Sequence, residues 1–361
     1  MTQTQEVMHT ITAWDIGGAN LKAAMIDEAG NLLQVVQVPC PLWRGLDVLA
    51  LAIDEVLTKF SLVKSSTHAI TMTGELADIF SDRHDGVMQI AQLIEAKLSY
   101  AYIGEQTYYF SGAAGLVKFE QVAQHTAQIA SANWLASAFY VAAEYHQALL
   151  VDMGSTTTDL IVIADAKPQL NGLTDAARLK SSELVYTGMI RTPLMAVAQR
   201  IVFAGEFTHI AAEHFATMAD VYRLTGYLDE SEDMSDTADG KGKTLTDSAR
   251  RLARMVGHDV QDADLNAWKN LAQAFKQAQI DILKQAALRQ ISRGLLDPFA
   301  PIVGAGVGSH VVRELAQQLN RKFQDVTAII SADSNADKGW ACVCFPAYAL
   351  AKLALQKIKR I

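Results

Sequence analysis

The sequence predicts an α/β chain in which one unit is used twice, two lobes around a cleft, with a helical insertion in the second lobe. Three observations carry that expectation. Asp15-Ile-Gly17-Gly18-Ala-Asn20-Leu-Lys22 and Asp152-Met-Gly154-Ser155-Thr156-Thr157-Thr158-Asp159 share the pattern Asp-x-Gly-[Gly/Ser]-x-x-x-polar. Each segment lies between short apolar runs: Ile11 to Trp14 and Leu21 to Ile26 around the first, Ala148 to Val151 and Leu160 to Ile163 around the second. Strand, small-residue turn and strand make a β-hairpin. Finally, Val303-Gly304-Ala-Gly306-Val-Gly308-Ser309-His310 joins an apolar run to a helix-period stretch, a strand–turn–helix element.

Taken in order, strands are expected at about 10–17, 21–27 and 31–39, then a helix near 46–61 with Leu49, Ile53, Val56, Leu57 and Phe60 on one face. A strand at 67–73 and a helix with Val87, Ile90, Leu93 and Ile94 on one face come next, followed by short strands at 100–103 and 107–111 and a long helical region, 116–146. The pattern restarts at Ala148 with the second hairpin and short strands near 168–171 and 183–188. From 193 to 296 the chain reads as helix, interrupted by an acidic stretch from Asp229 to Lys243 that fits a mobile, solvated loop or a lid. A strand at 325–331 and a helix from Gly339 end the pattern. The expected division is 1–146 and 147–339, with a C-terminal helix, 340–361, packing on the first lobe.

Bulk properties narrow the classes. The chain has 361 residues, 50% hydrophobic and 19% charged, enough for two ordinary domains and a sizeable core. No apolar stretch approaches the roughly 20 residues of a membrane span, and the first ten residues lack a signal-peptide pattern. The three cysteines, Cys40, Cys342 and Cys344, make no disulfide framework and fit a reducing cytoplasm. Net charge is −8 with no basic patch, which argues against nucleic acid. The expected partners are small molecules, with a homo-oligomer left open.

Successive backbone N–H groups in a tight turn cradle phosphate oxygens, and glycine lets the ligand come close. The candidate phosphate-binding residues are therefore Gly17, Gly18, Asn20, Gly154, Ser155, Thr156 and Thr157. Asp15 and Asp152 at the strand ends suit a hydrated Mg2+ that accompanies phosphates, and two facing hairpins would clamp one polyphosphate. Lys22 shares its phase with Asp159, and these two join Asp15 and Asp152 as catalytic candidates. The third cluster is not G-x-G-x-x-G, since position 309 is Ser309, yet it offers a helix N-terminus.

The three turns, in order and spacing, resemble the superfamily of sugar kinases, actin and ATPase chaperones, which implies a duplicated ribonuclease H-like (actin-like ATPase) fold. In that superfamily the two Asp-bearing turns bind phosphate and the glycine-rich turn contacts adenosine. By that resemblance Gly304, Gly306, Gly308 and Ser309 would bind nucleotide or substrate. The second turn, with its threonines and closing Asp159, looks like the hydantoinase A and 5-oxoprolinase branch. Ser131-Ala-Asn133-Trp134-Leu-Ala-Ser137, Tyr186-Thr-Gly188-Met-Ile-Arg191-Thr192-Pro193 and Glu213-His214-Phe-Ala-Thr217-Met-Ala-Asp220-Val-Tyr222-Arg223 resemble a compact group within it, associated with tetrahydromethanopterin-linked one-carbon metabolism. Members of that group are similar to a methanofuran-biosynthesis synthase. The resemblance implies a transferase that joins an aminomethylfuran-methyl diphosphate to (γ-glutamyl)tyramine as an aryl ether and releases diphosphate. An ATP-dependent kinase or ATPase is the alternative, with ATP as ligand.

The remaining candidates are single residues. Arg191 and Thr192, before Pro193, suit a carboxylate or phosphate. His209 and Glu213 lie four apart on a predicted helix, with His214 and Asp220 following. The spacing matches neither H-E-x-x-H nor H-x-x-E-H, so a substrate-facing polar patch with His214 and Asp220 is expected rather than zinc. Gly240-Lys-Gly242-Lys243-Thr244 lacks the first Walker glycine, and Tyr108-Tyr109-Phe110 reads as core.

Overall fold

The computed structural model describes residues 9–60, 66–101 and 106–359. Contacts divide the chain into two units. One takes Met1–His146, Ala166–Pro168 and Val326–Ile361; the other takes Gln147–Asp165 and Gln169–Asp325. Residues 326–339 thus fall with the first unit, where the sequence pattern put them with the second.

The first unit begins with β1 (Thr10–Ile16), β2 (Asn20–Asp27) and β3 (Leu32–Pro39), then α1 (Leu46–Lys59), β4 (Ser66–Met72), α2 (Arg83–Ala101), β5 (Gln106–Phe110), β6 (Leu116–Val117), α3 (Phe119–Ile129) and α4 (Asn133–Glu144). The sheet order is β3-β2-β1-β4-β5-β6, with β1 antiparallel to β2 and parallel to β4. Trp14, Ile16, Ile70, Met72 and Tyr109 form one core with Leu49, Ile53 and Val56 of α1 and Val87, Ile90 and Ile94 of α2. The expected apolar faces of both helices are the buried ones. Tyr108, Tyr109 and Phe110 are core, as read.

The second unit repeats the plan with β7 (Ala148–Met153) and β8 (Thr158–Ala164). A short strand, β9 (Lys167–Pro168), clusters with the first unit, after which come α5 (Asp175–Ser181), β10 (Leu184–Val185), β11 (Arg200–Phe203), β12 (Glu206–His209), α6 (Met218–Thr225), α7 (Leu245–Met255), α8 (Leu265–Ile291), β13 (Ile302–Ala305), α9 (Ser309–Gln318) and β14 (Phe323–Asp325). The order β10-β8-β7-β13-β14 copies β3-β2-β1-β4-β5, down to the strand directions. Each unit therefore has ribonuclease H-like topology. Where the first unit places α1 between its third and fourth strands, the second inserts β11 to α8. The chain then returns to the first unit as α10 (Asn335–Val343) and α11 (Phe345–Ile358), and α11 packs on β1, β2 and α4.

Several elements differ from expectation. Within 193–296, residues 200–209 form a hairpin, because Ala204 (φ 51°) and Gly205 (φ 85°) take the two left-handed positions of a tight turn. The run is too short for apolar period alone to separate strand from helix. The 116–146 helix is two helices, broken where Ser131 adopts φ 52°. α2 continues to Ala101, so the strand expected at 100–103 is absent there and its later residues lie outside the described ones. The 325–331 strand stops at Asp325 and becomes a 3-10 turn, Val326–Ile329. The acidic loop is anchored: Asp233 pairs with Arg223 and Lys243, and Asp239 with Arg251. Among the described residues no single helix is long and apolar enough to cross a membrane.

Candidate functional site

The two hairpins share one register. Asp15 faces Lys22 and Asp152 faces Asp159, leaving Gly18-Ala19 and Ser155-Thr156 as the loop residues. Gly17 N donates to Asn20 O at 3.0 Å, and Gly154 N to Thr157 O at 2.9 Å. A Cβ on Gly17 would lie 2.8 Å from Asn20 O, so the turn itself demands glycine, whereas one on Gly18 would meet nothing within 4 Å. Gly18 therefore faces open space where a ligand can approach. Asp15 and Asp152 are 5% and 7% exposed, both held at the inner edge of their turns.

In the first unit Asn133, opening α4, donates through Nδ2 to Asp15 Oδ1 at 3.2 Å and accepts from Trp134 N at 2.7 Å. Asn133 was noted only as part of a resembling segment; its partner is 118 positions away, beyond any local pattern. Lys22 Nζ donates to Val343 O at 2.9 Å, at the C-terminal end of α10 where a cation is favoured. Burial pushes the neighbouring Cys344 thiol up to about 12, against the opposing influence of Lys22. All three cysteines are free and buried.

In the second unit the glycine-rich turn packs on the hairpin. Gly306 has φ +80°, and a Cβ there would lie 2.4 Å from Met153 O and 2.5 Å from Asp152 Oδ1. Gly308 N donates to Met153 O at 2.9 Å, just as Thr73 N donates to Ile16 O at 2.9 Å in the first unit. In both, the segment after the fourth strand braces the Asp-bearing turn. A Cβ on Gly304 would strike Phe323, and Ser309 Oγ donates to Asp325 Oδ2 at 2.5 Å. Close packing around Asp152 accounts for these small residues without a nucleotide.

The other flank of the turn comes from the segment after β10. Met189 N donates to Gly154 O, while Ile190 N and Arg191 N both donate to Ser155 O at 3.0 and 2.9 Å. Gly188 is obligatory, since a Cβ would lie 2.5 Å from Thr156 N. Arg191 is thereby placed beside Ser155 with its side chain exposed. Thr192 is buried and bonds through Oγ1 to both backbone groups of Gly188, so it shapes the loop and does not face a ligand. Gln279 of α8 ties the same loop down through Thr187 Oγ1 (2.7 Å) and Gly188 O (2.8 Å), and Tyr222 donates to Gln279 Oε1 at 2.6 Å. Asp159 is ion-paired with Arg178 at 2.6 Å; burial raises its carboxyl pKa and the Arg178 guanidinium opposes the shift. Arg178 and Gln279 escaped sequence reading because only tertiary packing brings them to the turn.

Two candidates are displaced. Asp220 is 1% exposed and accepts from Arg223, Arg251 and Ser248, closing the N-terminus of α6; it does not face substrate. His214 is exposed in a bend before α6, apart from Asp220, and His209 ends β12 with Glu213 in the same bend, so the four do not share a helix face. Among the described residues no three His, Cys, Asp or Glu side chains gather to hold a metal.

Comparisons with known proteins agree with this fold. The chain is 29% identical over 344 residues, 95% of its length and 96% of the relative's, to the (4-{4-[2-(gamma-L-glutamylamino)ethyl]phenoxymethyl}furan-2-yl)methanamine synthase of Methanocaldococcus jannaschii. The synthase of the same name from Methanococcus vannielii is 31% identical over 174 residues, 48% of this chain and 76% of that one. Nucleotide-free acetone carboxylase shares the fold with a TM-score of 0.60 at 11% identity, over 94% of this chain and 70% of that one. The Hydantoinase/oxoprolinase family model matches residues 66–353. From the repeated turns to the family match, the chain belongs to the hydantoinase/oxoprolinase family.

Proposed function

We propose that the chain is a transferase of methanofuran-type cofactor synthesis, condensing an aminomethylfuran-methyl diphosphate with (γ-glutamyl)tyramine to an aryl ether and releasing diphosphate. The observation that carries this is the likeness to the Methanocaldococcus jannaschii synthase over nearly the full length of both chains. The phenol oxygen forms a bond to the furan-bound CH2 as the bond from that carbon to diphosphate oxygen breaks, the electron pair leaving with diphosphate. The phenolic proton passes to a carboxylate.

Charge grows on the leaving group, so fixed N–H donors and cations lower the barrier. The turns at Gly17–Asn20 and Gly154–Thr157 are the proposed donors, with Lys22 and Arg191 as cations. Asp15 and Asp152, each in its own turn, are the candidate ligands of Mg2+, which would supply positive charge to the departing diphosphate. Asp159, or Asp152 through a water, is the proposed base; the burial that raises the Asp159 carboxyl pKa strengthens it in that role.

The test is to incubate the protein with Mg2+, a furfuryl diphosphate and γ-glutamyltyramine, then assay ether and diphosphate. Ether with stoichiometric diphosphate and no ATP is the expected result. A strict ATP requirement, or ADP formation stimulated by a hydroxyl substrate, would replace this reading with a kinase or ATPase. Asp15→Asn and Asp152→Asn should each lower kcat by about 100-fold or more.

A further inference from the structure

The duplication reaches past the Asp-bearing turns, to the segment that follows the third strand of each sheet. In the first unit Cys40 N donates to Ala19 O at 2.8 Å and Leu42 N to Gly18 O at 3.1 Å. In the second, Ile190 N and Arg191 N both donate to Ser155 O. Gly18 and Ser155 each stand three residues after their Asp, so the corresponding carbonyl is held by the corresponding segment in both units. In the second unit that segment delivers Arg191. In the first it delivers Trp43 and Arg44, two residues that no motif in the sequence marks.

Leu42–Arg44 form a 3-10 turn, with Arg44 N donating to Pro41 O and Gly45 N to Leu42 O. Successive side chains on such a turn point about 120° apart. Leu42 points inward. It is 0% exposed, and its Cδ2 lies 2.7 Å from where a Cβ on Gly74 would stand, a point itself 3.2 Å from Gly17 O and Ile16 O. Trp43 and Arg44 are thereby turned outward, Trp43 being 45% exposed and Arg44 exposed as well. Gly45, at φ +138°, ends the turn in a conformation that side chains disfavour. The pair is thus fixed to the first Asp-bearing turn through two backbone bonds and one buried leucine.

With the carbonyls of Gly18 and Ala19 taken, the polar groups left on the loop are N–H donors. Among the described residues neither Gly18 N nor Ala19 N donates to a backbone carbonyl, and a Cβ on Gly18 would meet nothing within 4 Å. Adjacent donors beside open space suit an oxyanion. Arg44 stands two Cα steps from Leu42, about 7.6 Å at most, so an extended side chain reaches an anion on the loop, where its planar fork grips two phosphate oxygens. Trp43 adds a ring. Trp14, Trp134 and Trp268 are at most 4% exposed, whereas Trp43 keeps a large apolar face in water beside the turn. Such a face suits a flat ring joined to the anion by a short link.

We propose that Trp43 and Arg44 complete an anion site on the first unit: Arg44 takes phosphate oxygens of a diphosphate seated on the Gly18 and Ala19 N–H groups, and the Trp43 indole packs on the ring that the diphosphate carries. The inference rests on the transferase reading for the identity of that ring, a furan. Recognition of a ring-bearing diphosphate does not require the ether to form.

The test uses the full-length protein with Mg2+, furfuryl diphosphate and inorganic diphosphate. Furfuryl diphosphate should shield the fluorescence of Trp43 from acrylamide, a neutral quencher, while inorganic diphosphate, which has no ring, should not; Trp43→Phe identifies the share of the signal that belongs to Trp43. Trp43→Ala should weaken furfuryl diphosphate about tenfold and leave inorganic diphosphate unchanged. Arg44→Gln should weaken both about tenfold, and Arg44→Lys should recover part of the loss. Both side chains are exposed, so the melting temperature should stay at the parent's. Inorganic diphosphate binding indifferent to Arg44→Gln would overturn the role of the arginine, and equal losses of the two ligands in Trp43→Ala, or none, would overturn the ring contact. In turnover Trp43→Ala and Arg44→Gln should raise the KM for the furan diphosphate and leave that for the phenol unchanged. Ether formation with the parent KM for the furan diphosphate in both variants would sink the site while the transferase stands. Furfuryl diphosphate binding that both variants weaken, in a protein that forms no ether, would uphold the site and remove the transferase.

Discussion

His310 follows the glycine-rich turn, in the first turn of α9, and illustrates how much a single side chain takes from its surroundings. Its ring stacks on Tyr227 at 4.9 Å, meets Tyr222 edge-on, and sits near Glu314, Lys276 and Arg313. Burial lowers its pKa to about 4; Glu314 opposes this, and Lys276 and Arg313 add to it. Between about 6.5 and 4 the unfolded chain binds a proton here that the folded chain refuses, so stability should fall as pH drops through that window. The loss attributable to His310 is at most about 3 kcal/mol. Denaturant titrations at pH 7 and pH 4.5 should show His310→Phe, which keeps the stack, losing less stability on acidification than the parent. Nothing around His310 in the sequence announces this, because every group that sets its pKa except Glu314 and Arg313 lies on another element. The glycines beside it were legible as glycines. Their reason was not: Gly306 accommodates the backbone and carboxylate of the hairpin it braces.

At the scale of elements, the helical insertion is held by a buried ionic node. Thr217 and Asp220 cap α6 reciprocally, and Asp220 also accepts from Arg251, whose side chain is 0% exposed. Removing one partner of such a pair strands the other charge, at a cost of about 3–5 kcal/mol. Asp220→Ala should therefore lower the melting temperature of the second unit sharply, and any protein that remains folded should keep the parent KM for substrates. A raised KM at unchanged stability would return Asp220 to the ligand. The sequence showed Thr217 and Asp220 three apart, a capping pattern, but the resemblance drew attention to Asp220 as a substrate residue. The β11–β12 hairpin was misread as helix for a related reason: a four-residue strand carries too few positions for its period to show.

For the whole molecule, the duplication extends beyond the turns to strand order and direction. The first unit is nonetheless not continuous in sequence. Phe345, Tyr348, Leu350 and Ala354 of α11 are fully buried, and Tyr140 donates to Ile329 O at 2.8 Å. A chain ending at Asp325 should lose the packing over β1 and β2, and limited proteolysis should cut within 10–146 while 147–325 stays protected. Protection of both regions equal to that of the full chain would show that the C-terminal helices are dispensable.

The sequence by itself determined the paired hairpins, their register and the glycine positions. These depend on neighbours two to four residues apart, where alternation of apolar residues and the steric freedom of glycine act directly. Asp15, Asp152, Lys22 and Asp159 were placed correctly within their turns for the same reason. Only the tertiary structure decided what surrounds them: Asn133 on Asp15, Arg178 on Asp159, Gln279 behind Gly188, and Asp220 turned inward. Those contacts join different elements, in places more than ninety positions apart, and burial, which sets their energies, exists only once the layers have packed.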